Sequence, residues 1–197
     1  MATLARSHTK LKSMVFVALM AAFLCIVSPI SIPLPLVPIT LQTFAVFAAG
    51  ALLGWKKGTL AVLIYLLLGL IGLPVFSGWT GGFSSFATPS SGYIIGFFFT
   101  ALLTGFLIDR FPNRLWMYPA AMAAGLVVCY LFGTLWFLVY MNVWMATPYT
   151  LWQALLVCVI PFLVGDALKI GAATALCYPL RKQLTRSGVL QGRSSNR

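Results

Sequence analysis

Two charged side chains stand within an otherwise apolar stretch of the sequence, FLVGDALKIGAA at residues 162–173. Asp166 and Lys169 are three positions apart, and this spacing places them on one face of a helix. A carboxylate accepts hydrogen bonds and an ammonium donates them, so the pair can bind a small polar solute. Gly165 and Gly171 beside them would let a ligand or a neighbouring helix approach the backbone closely. The alternative is an internal ion pair that fixes a helix interface and contacts no ligand.

The composition of the chain indicates the surroundings of this pair. Apolar residues make up 61% of the 197 residues and charged residues only 8%, whereas soluble domains carry roughly a quarter charged residues. The chain is therefore predicted to be an all-α integral membrane protein. At roughly 20 residues per transmembrane helix, it has room for about six such helices. The predicted spans lie at about 12–28, 41–55, 58–73, 92–108, 115–141 and 151–180. A charge at the centre of a span is unfavourable by about 2.5 to 3.5 kcal/mol, so the presence of two charges there needs a structural or functional reason.

Lysine and arginine predict the orientation of the chain. Of the 13 basic residues, 12 precede the first span, follow the last, or lie in the turns after the second and fourth spans. Because such residues concentrate in cytoplasmic loops, both termini are predicted to be cytoplasmic. The formal charge of +11 then reflects topology and gives no indication of nucleic acid binding. Asp166 and Lys169 are the acid and the base inside the spans, and Asp109 is interpreted as a solvated residue at the cytoplasmic boundary.

The chain is predicted to form a single membrane domain over residues 1–197. Residues 1–12 are interpreted as a cytoplasmic N-terminus, 13–180 as the six-helix core and 181–197 as a basic cytoplasmic tail. The bilayer is therefore the first partner that the sequence predicts.

Two uncharged loops are predicted at the outer end of the protein. SPISIPLPLVPIT, residues 28–40, has too many prolines for a helix and is predicted to be extended, either as a lid or as a plain connector. Residues 74–93 mix Gly, Ser, Thr, Pro and aromatic residues over a length that is usually functional or disordered. The aromatic residues favour an ordered loop.

The other reactive side chains do not indicate a metal site or a catalytic site. The four cysteines lie in apolar runs without close pairing, and His8 lies in the basic N-terminal segment. No metal and no cofactor are predicted. No second acid, histidine or activated nucleophile accompanies Asp166 within the spans, so a binding protein is favoured over a membrane enzyme that uses this acid. A self-sufficient carrier, in which the pair relays protons, is a further alternative.

Four stretches of the sequence together carry a resemblance to a known family. They are IPLPLVPITLQTFAVFAAGALLG, IYLLLGLIGLPVFSGWTGG, SSGYIIGF and GDALK. Over about residues 14–182 the chain resembles the BioY family, the biotin-specific substrate-binding subunits (S-components) of energy-coupling factor (ECF) transporters. The resemblance implies six helices and capture of biotin from outside a prokaryotic plasma membrane. It also implies ATP-driven uptake with a transmembrane coupling protein and two ABC ATPases. The chain itself has no Walker A pattern.

The resemblance also implies which residues bind biotin. Gly165, Asp166 and Lys169 match the family motif, in which Asp166 suits the ureido N–H groups and Lys169 suits the ureido oxygen or the carboxylate. Further candidates for contact with biotin are Gln42, Thr43, Tyr93, Phe76 and Trp79. Alternatively, Gln42, Thr43 and Tyr93 form interhelical hydrogen bonds. The alternative for Phe76 and Trp79 is a position in the aromatic belt at the membrane interface.

The sequence departs from the family pattern at two points. Val164 stands where the family commonly has proline, which alters the local bend of the helix. No arginine or second lysine lies in the outer half to meet the biotin carboxylate, so either Lys169 or the loop N–H and hydroxyl groups must do so. The candidate hydroxyl groups belong to Ser84, Ser85, Ser90 and Ser91.

Small residues on the first helix indicate a contact surface. Ala18 and Ala22 form a small-xxx-small face. The resemblance implies that S-components use such a face to dock against the coupling protein, and the alternative is packing within the monomer.

Overall fold

The computed structural model describes residues 2–186, with side chains from residue 11 onward. The predicted basic tail beyond residue 186 therefore lies outside the described residues. The helices are α1 (Ala2–Val27), α2 (Gln42–Leu70), α3 (Ser91–Arg110), α4 (Met117–Val139), α5 (Leu151–Cys158) and α6 (Leu163–Arg186). The strands β1 (Ser31–Ile32) and β2 (Ile39–Thr40) form a short antiparallel ribbon in the proline-rich segment. The prediction of an all-helical protein is confirmed at this level.

The lengths and composition of the helices are those of a multi-pass membrane protein. Within residues 2–186, the stretches long and apolar enough to cross a bilayer are Gln42–Leu70, Ser91–Arg110, Met117–Trp144 and Leu151–Arg186. The apolar part of α1, Leu11–Val27, is shorter. Val127, Leu131 and Leu135 recur every four residues along α4 and are all more than half exposed, as expected for a helix face in contact with lipid.

Helix α2 reverses its direction at Gly54. This residue has φ 77° and ψ 179° inside the helix, a conformation that glycine adopts without a steric penalty. The Gln42 side chain donates a hydrogen bond to the Tyr65 hydroxyl at 2.8 Å, although a straight helix would separate two residues 23 positions apart by about 35 Å. Residues 42–53 and 55–70 are therefore two antiparallel helices in contact.

Glycines allow the reversed segments and α3 to pack at short range. A Cβ atom at Gly58 would collide with the carbonyl of Ala49, and one at Gly50 would lie 2.8 Å from the carbonyl oxygen of Ala101 in α3. Backbones approach this closely only where side chains are absent or small. The reversal thus brings both halves of α2 into one tight unit with α3.

An ion pair joins three helices at the end of the protein where α2 reverses, which we call the basic end. The Arg181 guanidinium in α6 pairs with the Asp109 carboxylate in α3 and donates to the carbonyl of Ala51 at 2.6 Å. Asp109 also accepts the backbone N–H of Trp55 at 2.9 Å. The interpretation of Asp109 as a simply solvated boundary residue was therefore wrong. Helix α6 also continues past residue 180, and Arg181 is buried.

Replacing Arg181 by Met is expected to lower the free energy of unfolding by about 2 kcal/mol. The carbonyl of Ala51 and the carboxylate of Asp109 would lose their shared partner. The expected loss is below that of a fully buried pair because the Asp109 side chain is 31% exposed and water can solvate it. Thermal unfolding in detergent measures the change. Arg186→Met makes the same replacement at an exposed position of α6 and should change stability by less than about 0.5 kcal/mol; equal stability of the two variants would contradict the prediction.

The opposite end of the protein, which we call the ribbon end, is closed by loops. Residues 74–90 are ordered into two 3-10 turns, Ser77–Trp79 and Phe83–Phe86. The N–H of Gly78 donates to the carbonyl of Pro29 at 3.2 Å, so this loop is tied to the proline-rich segment. The prediction of an ordered loop agrees with this arrangement.

A break between α5 and α6 positions the start of α6 at the ribbon end. The 3-10 turn Ile160–Phe162 contains Pro161 and separates the two helices, because proline interrupts a helix. The Tyr93 hydroxyl donates to the carbonyl of Cys158 at 2.7 Å and so fixes the end of α5 to α3. Asp166 then falls in the first turn of α6, where the helix dipole favours a negative charge.

Candidate ligand-binding site

A cavity of about 380 Å³ lies at the ribbon end. This volume is near the lower limit of ordinary ligand pockets, about 300 to 1,000 Å³, so it suits a small solute. Its wall combines the proline-rich segment, the start of α2, Phe76 with the loop at 77–90, and parts of α3, α4 and α6. The lining residues are Val37, Pro38, Thr40, Gln42, Thr43, Phe76, Ser77, Thr80, Ser84, Ser85, Thr88, Ser90, Tyr93, Ile94, Phe97, Cys129, Tyr130, Phe162, Asp166 and Lys169.

Asp166 is the centre of a buried polar cluster in this wall. It is 2% exposed and its carboxylate accepts three hydrogen bonds. Oδ1 accepts from the Thr43 hydroxyl at 3.1 Å and from Lys169 Nζ at 2.8 Å, and Oδ2 accepts from the Tyr130 hydroxyl at 2.6 Å. Helices α2, α4 and α6 thus meet at one carboxylate.

The cluster leaves specific groups available to a ligand. A carboxylate has about four acceptor positions, and the three contacts leave one open on Oδ2. Lys169 Nζ donates to Asp166 and to the Thr43 hydroxyl, the latter at 3.2 Å, so one of its three N–H groups has no partner among the described residues. The internal ion pair that the sequence suggests as an alternative is present, and both of its members also line the cavity. A ligand would therefore meet one acceptor and one donor side by side.

Most of the candidates near the start of α2 and α3 also reach the cavity, but their polar groups already have partners. Gln42 lies in the wall and donates to Tyr65, as described above, and its side-chain oxygen accepts from the Thr40 hydroxyl at 3.2 Å. Tyr93 lies in the wall with its hydroxyl bound to the carbonyl of Cys158. The interhelical hydrogen bonds considered for Gln42 and Tyr93 are thus present. These side chains shape the cavity and hold its walls together.

The aromatic candidates have different positions. Phe76 is 2% exposed and lies edge-on between the rings of Tyr65 and Phe86, at centroid distances of 5.6 and 5.7 Å. Phe76 also lines the cavity. Trp79 is 66% exposed and is not among the lining residues. Gly165 is also absent from the lining, and a Cβ atom there would meet nothing within 4 Å.

Sequence reasoning missed Tyr130, which lies in the wall and donates to Asp166. The available signal was a tyrosine in the middle of an apolar span, because a buried tyrosine hydroxyl needs a hydrogen-bond partner. Its partner lies 36 positions away, so only the packing of α4 against α6 identifies the pair.

A second polar region of the cavity consists of hydroxyl groups from the loop at 77–90. The lining residues here are Ser77, Thr80, Ser84, Ser85, Thr88 and Ser90. Two residues that do not line the cavity fix the backbone of this loop at Thr88. Trp136 Nε1 donates to the carbonyl of Thr88 at 2.9 Å, and the buried Ser91 hydroxyl donates to the same carbonyl at 2.8 Å. Ser91 itself is not among the lining residues.

No arrangement of metal ligands is found in the part of the chain that the structure describes. The searched residues contain no group of three or more His, Cys, Asp or Glu side chains. Cys129 lies in the cavity wall as a buried free thiol. The polar chemistry of the site thus rests on the ion pair and the hydroxyl groups.

Known proteins with similar sequences and structures share one description. Residues 1–186 match the model of the BioY family. The biotin transporter BioY of Rhizobium etli is 36% identical over 186 residues, which cover 86% of this chain and 96% of that protein. The biotin transporter BioY of Thermotoga maritima is 34% identical over 172 residues, which cover 87% of this chain and 97% of that protein. The crystal structure of the S-component for biotin from an ECF-type ABC transporter has a TM-score of 0.80 at 33% identity and covers 89% of this chain and 94% of its own.

Proposed function

The chain belongs to the BioY family, and from this premise we propose that it captures biotin for an ECF-type uptake transporter. The observation that carries the proposal is the Asp166 and Lys169 pair in the wall of a cavity of about 380 Å³. Family membership also indicates a transport protein rather than an enzyme. The chain would supply substrate recognition, and a separate coupling protein with ABC ATPases would supply the energy.

The free groups of the polar cluster match the ureido ring of biotin. The open acceptor position on Asp166 Oδ2 suits a ureido N–H, and the remaining N–H of Lys169 suits the ureido oxygen. The apolar part of the wall, with Phe76, Phe97 and Phe162, suits the hydrocarbon surface of the bicyclic ring. Hydrogen bonds to a charged acceptor and donor also reject analogues that lack the ureido group, because the protein groups would lose their new partners.

We also propose six membrane-crossing segments with both termini in the cytoplasm. The reversal of α2 supports this, because one helix in chain order supplies two antiparallel segments. An apolar groove at the basic end is shared by Phe16 of α1, Leu52 of α2 and Leu180 of α6, so the middle of α1 lies beside the later part of α6. The turn with Lys56 and Lys57 lies at the same end, which the positive-inside rule assigns to the cytoplasm.

The opposite end would then face the outside of the plasma membrane, where the cavity can receive biotin. Val37, Pro38 and Thr40 of the proline-rich segment form part of the cavity wall, which supports a lid role for this segment. Ala18 and Ala22 are exposed on α1, which supports docking of this face against the coupling protein rather than packing within the monomer.

Calorimetry on the detergent-purified protein tests the binding step. Biotin is expected to bind saturably with about one ligand per chain. Lipoate is the matched control, because it carries the same pentanoate chain on a five-membered ring but has no ureido group. It is expected to bind at least about 100-fold more weakly. Absence of saturable biotin binding, or equal affinity for lipoate, would overturn the proposal.

A further inference from the structure

We propose that the loop at 77–90 forms an uncharged subsite that holds the carboxylate of the ligand through serine hydroxyl groups. This inference rests on the proposed function, and it assigns the two polar regions of the cavity to the two polar ends of biotin. The ureido ring lies at the Asp166 cluster and the pentanoate carboxylate lies at the loop.

Ser85 provides the most specific observation. It is 7% exposed, it lines the cavity, and its hydroxyl oxygen has no hydrogen-bond partner. Buried hydroxyl groups usually have a partner in native proteins. Three other buried hydroxyl groups among the described residues also have none, at Ser28, Thr59 and Thr134, but none of these residues lines the cavity. A ligand oxygen would supply the missing partner at Ser85.

Further hydroxyl groups lie in the same wall. Ser84 lines the cavity and is exposed, and no hydrogen bond of its side chain to another described residue is found. Ser90 lies in the wall with its hydroxyl 3.3 Å from the Thr88 hydroxyl. The Thr88 hydroxyl donates to the carbonyl of Ser85 at 3.1 Å, which fixes the backbone that carries Ser85. Two or three hydroxyl donors can thus converge on one carboxylate.

The charges in the cavity favour this end for the carboxylate. Lys169 is the single basic residue in the wall among the described residues, and it is already paired with Asp166 at 2.8 Å. A ligand carboxylate at Lys169 would place two carboxylates around one ammonium group, and the like charges would repel each other in a poorly hydrated site. In the described part of the chain, no hydrogen bond joins the loop hydroxyl groups to Asp166 or Lys169. A carboxylate at the loop therefore avoids the repulsion.

Comparison of biotin with its primary amide tests the subsite, because the amide keeps the ring and removes the charge. Calorimetry measures both affinities in the wild type, in Ser85→Ala and in Ser84→Ala/Ser85→Ala/Ser90→Ala. The quantity compared is the affinity for biotin divided by the affinity for the amide. Ser85→Ala is expected to weaken biotin binding about tenfold and the triple variant about 100-fold. Binding of the amide should weaken by less than about threefold in Ser85→Ala. Thr59→Val removes another unpartnered buried hydroxyl group and should leave both affinities unchanged.

Each result has a defined meaning. If Lys169→Gln weakens the binding of biotin and of its amide by the same factor, while the serine variants lower the ratio of biotin affinity to amide affinity, the subsite is supported. If Lys169→Gln lowers the ratio and the serine variants do not, the carboxylate lies at Lys169 and the inference is wrong. If the wild type binds neither ligand, the proposed function fails and the subsite with it. Circular dichroism and gel filtration establish that each variant keeps its fold.

Discussion

Replacing Asp166 by Asn is expected to weaken biotin binding by the purified protein about 100-fold or more. The amide has no negative charge, so it loses the charge-assisted hydrogen bond to a ligand N–H and leaves Lys169 without its counter-charge. Asp109→Asn is the matched control, because Asp109 is the other of the two acids in the chain and its ion pair lies at the basic end. It should keep the biotin affinity within about twofold and lower thermal stability. Calorimetry and thermal unfolding of both variants measure these changes.

A purely structural role for Asp166 makes a different prediction for the double variant Asp166→Asn/Lys169→Met. If Asp166 only neutralised Lys169, removal of both charges would restore biotin binding, because no uncompensated charge would stay in the core. If both side chains contact the ureido ring, the double variant stays at least as weak as Asp166→Asn. Recovered affinity in the double variant, or unchanged affinity in Asp166→Asn, would contradict the assignment of the pair to the ligand.

The polar pair and the helical architecture follow from local features of the sequence. Charges in an apolar span are unfavourable, so the sequence alone makes Asp166 and Lys169 stand out. The reversal of α2 at Gly54 also has a local signal, since GWKKG places two lysines between apolar segments too long together for one span. In each case a single stretch of sequence contains the energetic reason for the structure.

The contacts between distant segments could not be predicted in the same way. Asp109 and Arg181 are 72 positions apart, and a charge at the membrane boundary is usually solvated, so nothing local indicates that they pair. Tyr130 contacts Asp166 only because α4 packs beside α6. The unpartnered hydroxyl of Ser85 is likewise a result of loop packing, since a serine-rich loop alone would be expected to be solvated.

Replacing Ala18 and Ala22 together by Leu is expected to lower biotin uptake strongly while leaving biotin binding unchanged. Both alanines are exposed on α1, so larger side chains fit on the isolated subunit and do not disturb the cavity at Asp166. In the assembled transporter, the added volume would hold the helix of the coupling protein away from α1, because close helix contact in a membrane requires small residues. Uptake of labelled biotin should fall at least about tenfold, measured in proteoliposomes that contain the coupling protein and the ABC ATPases.

Ala123→Leu is the control for added volume, because Ala123 is an exposed alanine on a different helix, α4. It should keep both binding and uptake, and the coupling protein should co-purify with this variant but not with the Ala18→Leu/Ala22→Leu variant. Normal uptake by the double variant would show that α1 is not part of the docking surface.

Proteoliposomes that contain only the wild-type chain test the carrier alternative. ATP-independent uptake at the full rate would show a self-sufficient carrier. If the chain is the capture subunit, uptake depends on the coupling protein and the ATPases. The exposed alanine face and the buried ion pair then serve different steps of transport. The Ala18→Leu/Ala22→Leu variant loses uptake but keeps biotin binding, whereas Asp166→Asn loses biotin binding.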